Sequence, residues 1–120
     1  MPDTILSIRA TQAMAEATRL LLEDHGFQVV SATDFRQVEA ACADGRFNLV
    51  LIGDAIEPRT KKAIATLIHD RRAIKVPILE IYASKPDLEN VYSVAGSEPP
   101  DDLIRTLKSI LNQHEAGQSA

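Results

Sequence analysis

The chain has 120 residues, 45% apolar and 25% charged, with a net charge of −4 and a pI near 5.3. That length suits one domain burying roughly two-thirds of the surface its unfolded chain exposes. The acidic balance argues against phosphate-backbone binding, which goes with a basic excess, so no nucleic-acid partner is expected. A lone cysteine, Cys42, leaves no internal disulfide and no cysteine-based metal cluster. No apolar run approaches the ~20 residues of a spanning helix, and no charged-then-apolar leader opens the chain, so a cytoplasmic protein with no membrane partner is expected. Met1 and the polar end further suggest a stand-alone protein.

In chain order, Thr4 to Ile8 is a short apolar run that reads as a first strand and ends at Arg9-Ala10. Thr11 can cap a helix with an inner face of Met14, Ala17, Leu21 and Leu22, and His25-Gly26 stops it, because glycine tolerates the left-handed backbone there. Phe27 to Ala32 predicts a second strand. Asp34 can cap a second helix, with Gln37 placed to reach back, an apolar face of Phe35, Val38, Ala41 and Cys42, and Asp44-Gly45 as its end.

The stretch Phe47 to Pro58 organises the rest. Leu49, Val50, Leu51 and Ile52 are apolar without alternation, which suits a strand buried on both faces under helices. In open parallel sheets chemistry gathers at the carboxyl ends of such strands, where Asp54 and then Glu57 fall. Pro58 to Arg72 predicts a third helix with Ala63, Ile64, Leu67 and Ile68 inward. Its basic run of Arg59, Lys61, Lys62, His69, Arg71, Arg72 and Lys75 reads as a solvated outer face, or else as a docking surface for an acidic partner. Val76 to Tyr82 predicts a fourth strand with Pro77 near its start, where a missing donor costs least.

Ala83 to Asn90 then leaves about eight residues before a fifth strand at Val91 to Val94, short of the dozen or so that a helical crossover takes. Either the crossover is one ragged turn or the last strand is short and irregular. Pro99-Pro100-Asp101-Asp102 opens a final helix, with proline and carboxylates where unpaired amides favour them. Leu103, Ile104, Leu107, Ile110 and Leu111 give its apolar stripe, with Arg105 and Lys108 outward. The expected domain spans 1–113, with 114–120 a flexible tail. The pattern is that of an α/β fold: a three-layer, doubly wound, five-stranded parallel sheet of order 2-1-3-4-5.

Residues 4–112 resemble a response-regulator receiver domain of two-component signalling, the CheY-like, flavodoxin-like fold. The resemblance rests on element order, on Phe47-Asn48-Leu49-Val50-Leu51-Ile52 followed by Asp54 and by Pro58, on Val76-Pro77-Ile78-Leu79, and on Pro100-Asp101-Asp102-Leu103. It implies that the helix between the fourth and fifth strands is shortened or missing here. It also implies a pocket that departs from the family. Arg9-Ala10 stands where the family has an acidic pair holding Mg²⁺, Tyr82 where it has Ser or Thr, and Gly96-Ser97 where it has Lys-Pro. Counting along the strand from Asn48 puts Gly53 at the phosphoacceptor position, while counting back from Pro58 puts Asp54 there.

The degenerate pocket is therefore Arg9, Ala10, Gly53, Asp54, Glu57, Tyr82 and Gly96. Phosphorylating an aspartate needs a cation against the phosphoryl oxygens, usually Mg²⁺ held by carboxylates, and those are missing, so no metal and no cofactor are expected. Arg9 either pairs with Asp54 or Glu57, its guanidinium filling the cation's place, or is a solvated loop residue.

Other candidates carry less. His25 and His69 lack a second ligand at metal spacing, Cys42 falls on an apolar helix face, no Gly-x-Gly-x-x-Gly follows the first strand, and no serine sits in a nucleophile elbow. With no catalytic constellation, no enzyme is expected. The sequence reads as a degenerate receiver-like (pseudo-receiver) interaction module in signal transduction, acting through a protein partner or as a homodimer. The alternative is a working phosphoacceptor receiver using Asp54.

Overall fold

The computed structural model describes residues 3–70 and 76–119, with side chains described through Gln113. Among the described residues nine elements follow in order: β1 (Thr4–Ile8), α1 (Gln12–Asp24), β2 (Gln28–Ala32), α2 (Phe35–Asp44), β3 (Leu49–Ile52), α3 (Pro58–Asp70), β4 (Ile78–Tyr82), β5 (Tyr92–Ala95) and α4 (Pro100–Ser119). The five strands form one parallel sheet of order β2-β1-β3-β4-β5, the predicted topology. Ile8 pairs with Ile52 where β1 meets β3, so both strands end level.

Side chains alternate across this sheet, and the two resulting cores define three layers. Leu6, Ile8, Val50, Ile52 and Ile78 point toward α2 and α3, where Val38, Cys42, Ile64 and Ile68 meet them. Ile5, Leu49, Leu51, Leu79 and Ile81 point the other way, onto Leu22 of α1 and onto Ile104, Leu107, Ile110 and Leu111 of α4. All four residues of β3 are fully buried, as their unbroken apolar run requires.

Local chemistry sets the helix ends. Thr11 accepts from the Met14 amide at 3.2 Å, and Asp34 accepts from the Gln37 amide at 2.8 Å. The Gln37 side chain reaches back to the Thr33 amide rather than to Asp34. Gly45 closes α2 at φ 69°, and His25 closes α1 with Nδ1 donating to the Leu21 carbonyl. The backbone of α4 is helical through Ser119.

Two features differ from the sequence reading, and a third settles a choice that it left open. The buried face of α1 is Ala15, Thr18 and Leu22, flanked by half-buried Met14 and Leu21, so of the predicted inner face only Ala17 lies outward. Residues 83–91 contain no helix, in line with the expected shortened or missing helix, and the chain passes from β4 to β5 as an irregular strap with Asn90 at φ 62°. Lys61, placed among the solvated charges of the third helix, is 1% exposed. Its Nζ donates to Glu80 Oε2 at 2.8 Å, to Asp87 Oδ2 at 3.0 Å and to the Ile81 carbonyl at 3.1 Å. Arg71, Arg72 and Lys75 of the same run lie outside the described residues. No helix among the described residues is long and apolar enough to cross a membrane.

Candidate functional site

The carboxyl ends of β1, β3 and β5 converge on one place. Because Ile8 pairs with Ile52, the next residues, Arg9 and Gly53, come side by side, with the Gly53 amide donating to the Ile8 carbonyl at 2.9 Å. The Arg9 side chain lies over Gly53, where an added Cβ would stand 2.7 Å from its Nε. Only glycine leaves this path open.

Asp54 starts the turn after β3 and extends the other way, toward β5. A Cβ at Gly96 would stand 2.8 Å from Asp54 Oδ2. Two side-chain-free positions thus flank an ion pair: Arg9 donates from one terminal nitrogen to Asp54 Oδ1 at 3.4 Å. The Arg9 side chain is 13% exposed and that of Asp54 is 30% exposed, so this is not a solvated loop arginine. Burial draws the Arg9 pKa below its usual value, and the Asp54 charge opposes that. Arg9 Nε is buried without a partner among the described residues.

The remaining pocket residues play smaller parts. Glu57 is exposed and does not share the Arg9 pair; its backbone carbonyl accepts from the Lys61 amide at 2.9 Å and so starts α3. Tyr82 is half-buried, and its carbonyl accepts from the Gly96 amide at 2.8 Å, extending the β4–β5 ladder. Ala10 is exposed. The structure therefore brings together Arg9, Gly53, Asp54 and Gly96, and leaves Ala10, Glu57 and Tyr82 at the margin.

Two features escaped the sequence reading. The first is the cluster of Lys61, Glu80 and Asp87 beneath the strap, in which Glu80, 0% exposed, accepts from the Asp87 and Leu88 amides at 2.9 and 3.0 Å. A carboxylate inside the apolar run Ile78-Leu79-Glu80-Ile81 was the available signal, since a buried charge needs a partner. The second is a cavity of about 410 Å³ beside Arg9 and Asp54, walled by α1, β4, β5 and α4. Small side chains at Ala17, Ala95 and Gly96 help leave that space, but which elements face it emerges only on folding.

No family model matches the chain, and no curated protein matches it. Solved structures do match. The chemotaxis response regulator CheY4 of Vibrio cholerae superposes with a TM-score of 0.76, covering 92% of this chain and 99% of that one at 17% identity. A CheY-like response regulator receiver domain from Methanospirillum hungatei JF-1 gives 0.78, covering 98% and 99% at 21% identity. The N-terminal domain of a response regulator/sensory box/GGDEF 3-domain protein from Carboxydothermus hydrogenoformans gives 0.78, covering 95% and 98% at 19% identity. At such identities the likeness is one of fold. Strand order, layer arrangement and these superpositions together give this chain the fold of the CheY-like receiver domains of response regulators.

Proposed function

We propose that the chain is a protein-interaction module of signal transduction, a receiver fold held in one state by its internal Arg9–Asp54 pair and working without phosphorylation, metal or turnover. The observation that carries this reading is the guanidinium lying across Gly53 against Asp54. It puts a fixed positive charge on the carboxylate that a phosphoryl group would have to reach.

The receiver resemblance implies Mg²⁺, and the residues present do not fit it. Mg²⁺ is held by carboxylates plus phosphate oxygens in near-octahedral geometry. Here one neighbour of Asp54 is a cation and the next residue, Ala10, has no side-chain donor. Among the described residues no group of three or more His, Cys, Asp or Glu is arranged to hold a metal ion. Tyr82 and Gly96-Ser97 also stand in place of the Ser or Thr and the Lys-Pro that the resemblance places around a phosphoryl group. Regulation by phosphate loses its receiving parts, while the sheet that would display a binding surface stays whole. A protein partner or a second copy of the chain is then what the module recognises.

Intact-mass spectrometry after incubation with Mg²⁺ and acetyl phosphate tests this, with Asp54→Ala alongside. The expected result is no Asp54-dependent mass increase. Stoichiometric labelling of the wild type that disappears in Asp54→Ala would overturn it and make the chain a working phosphoacceptor.

A further inference from the structure

The cavity beside the ion pair has a definite chemistry. Its volume of about 410 Å³ falls in the range of small-molecule sites, ~300–1,000 Å³. Leu21 of α1, Ile81 of β4, Val94 of β5 and Leu103 of α4 give it apolar walls from four elements, and Arg9 and Asp54 line its polar end.

That polar end is unfinished. A guanidinium carries five N–H donors, and among the described residues Arg9 uses one of them, in a long bond of 3.4 Å. A largely buried cation with so much donor capacity unspent costs free energy until an acceptor meets it. Water can serve, and a ligand acceptor held by the apolar walls can take its place.

Charge then selects the ligand head. Arg9, Asp54 and Glu98 all line the cavity, two carboxylates against one cation. A second anion about 4 Å from Asp54 would meet a repulsion on the order of 4 kcal/mol at an effective dielectric of 20, which cancels what it gains from Arg9 at like distance and leaves its desolvation uncompensated. A free ammonium would lose to Arg9 what it gains from Asp54, and the exposed Glu98, screened by solvent, adds little. A neutral head carrying an acceptor and a donor side by side satisfies both partners, the acceptor facing the guanidinium and the donor facing Asp54.

We infer that this cavity binds a small neutral amphiphile, with a primary carboxamide head against Arg9 and Asp54 and a short branched alkyl body between α1 and α4. The inference rests on the reading of Arg9 and Asp54 as a standing ion pair. It goes beyond that reading by giving the site a ligand class.

Isovaleramide is the probe, titrated into ¹⁵N-labelled protein while amide shifts are followed, with isovalerate and isoamylamine as charged controls of the same body. Saturable shifts at Gly53, Val94, Gly96 and Leu103 are expected with the amide, with at least about tenfold weaker binding of either charged control. Ala17→Leu fills the cavity from an exposed helix position and is expected to abolish the response while keeping a dispersed spectrum. Val94→Phe, which narrows it from the sheet side, is a second variant should the first lose its fold.

Shifts that never saturate, shifts unchanged in the filled variants, or a charged control that binds as tightly as the amide would each overturn the inference. The two proposals fail separately. Labelling of Asp54 by acetyl phosphate removes the ion-pair reading whatever isovaleramide does, whereas lost amide binding without labelling removes this inference alone.

Discussion

Replacing Lys61 with methionine removes the cation from a cluster that water barely reaches. Lys61 is 1% exposed and Glu80 is 0% exposed, so the methionine variant leaves a buried carboxylate held by only the Asp87 and Leu88 amides. Removing one member of a buried ion pair costs about 3–5 kcal/mol, because the partner's charge stays desolvated and unpaired. A solvated lysine in the same helix would cost no more than about 0.5 kcal/mol. The two pictures of α3 therefore differ several-fold, against a total stability of about 5–15 kcal/mol for such a domain.

Urea unfolding followed by circular dichroism reads the difference. With m near 1–3 kcal/mol/M, the midpoint of Lys61→Met is expected to fall by at least about 1 M. Glu80→Met combined with Lys61→Met is expected to be less destabilised than the two single variants summed, since removing both charges leaves neither one stranded. The strap would loosen first, so amide exchange at Asp87 and Leu88 should quicken in Glu80→Gln before global unfolding does. A midpoint for Lys61→Met within about 0.2 M of wild type, or strictly additive effects in the double variant, would refute the buried-cluster argument.

Two further outcomes follow from local geometry. Gly53→Ala sets a Cβ 2.7 Å from Arg9 Nε and 3.0 Å from its Cδ, so the arginine must leave its path. A loss of about 1–3 kcal/mol in chemical denaturation is expected, largely relieved when Arg9→Ala is added, whereas equal losses in both backgrounds would mean that Arg9 is not the obstacle. On the surface of α1, Arg19 hydrogen-bonds to Glu16 and holds its carboxyl below the usual carboxylate range. A lowered folded-state pKa means that this contribution is complete above the unfolded value and is lost as pH falls through the folded one. Titration of the Glu16 carboxyl carbon by NMR should show the low midpoint, and Arg19→Gln should raise it.

The sheet was legible in the chain because its pattern is redundant. Leu49 to Ile52 have no polar residue, caps at Thr11 and Asp34 stand where their helices begin, and the stripe from Ile104 to Leu111 has helical period. Such signals are local, and several agree on one topology. The Arg9 pairing was legible only as a choice among Asp54, Glu57 and solvent, since strand order brings Arg9 to the end of β3 but turn geometry decides which carboxylate meets it.

Lys61 was misread for a related reason. A charged residue in a basic run looks solvated until its partner is located, and that partner is 19 residues away on β4. The side-chain identity of Glu80 carried the clue, because a central strand does not bury a carboxylate unpaired. The cavity was invisible because its walls come from four elements whose mutual placement is a product of folding.

The ion pair is the centre of this account, and a Mg²⁺ titration followed at the Gly53, Asp54 and Gly96 amides of ¹⁵N-labelled protein tests it most directly. With the guanidinium in the cation's place, wild-type protein should give no saturable response, and Arg9→Asp, which trades that charge for a second carboxylate, should acquire one. Saturable Mg²⁺ shifts at those three amides in the wild type would contradict the account.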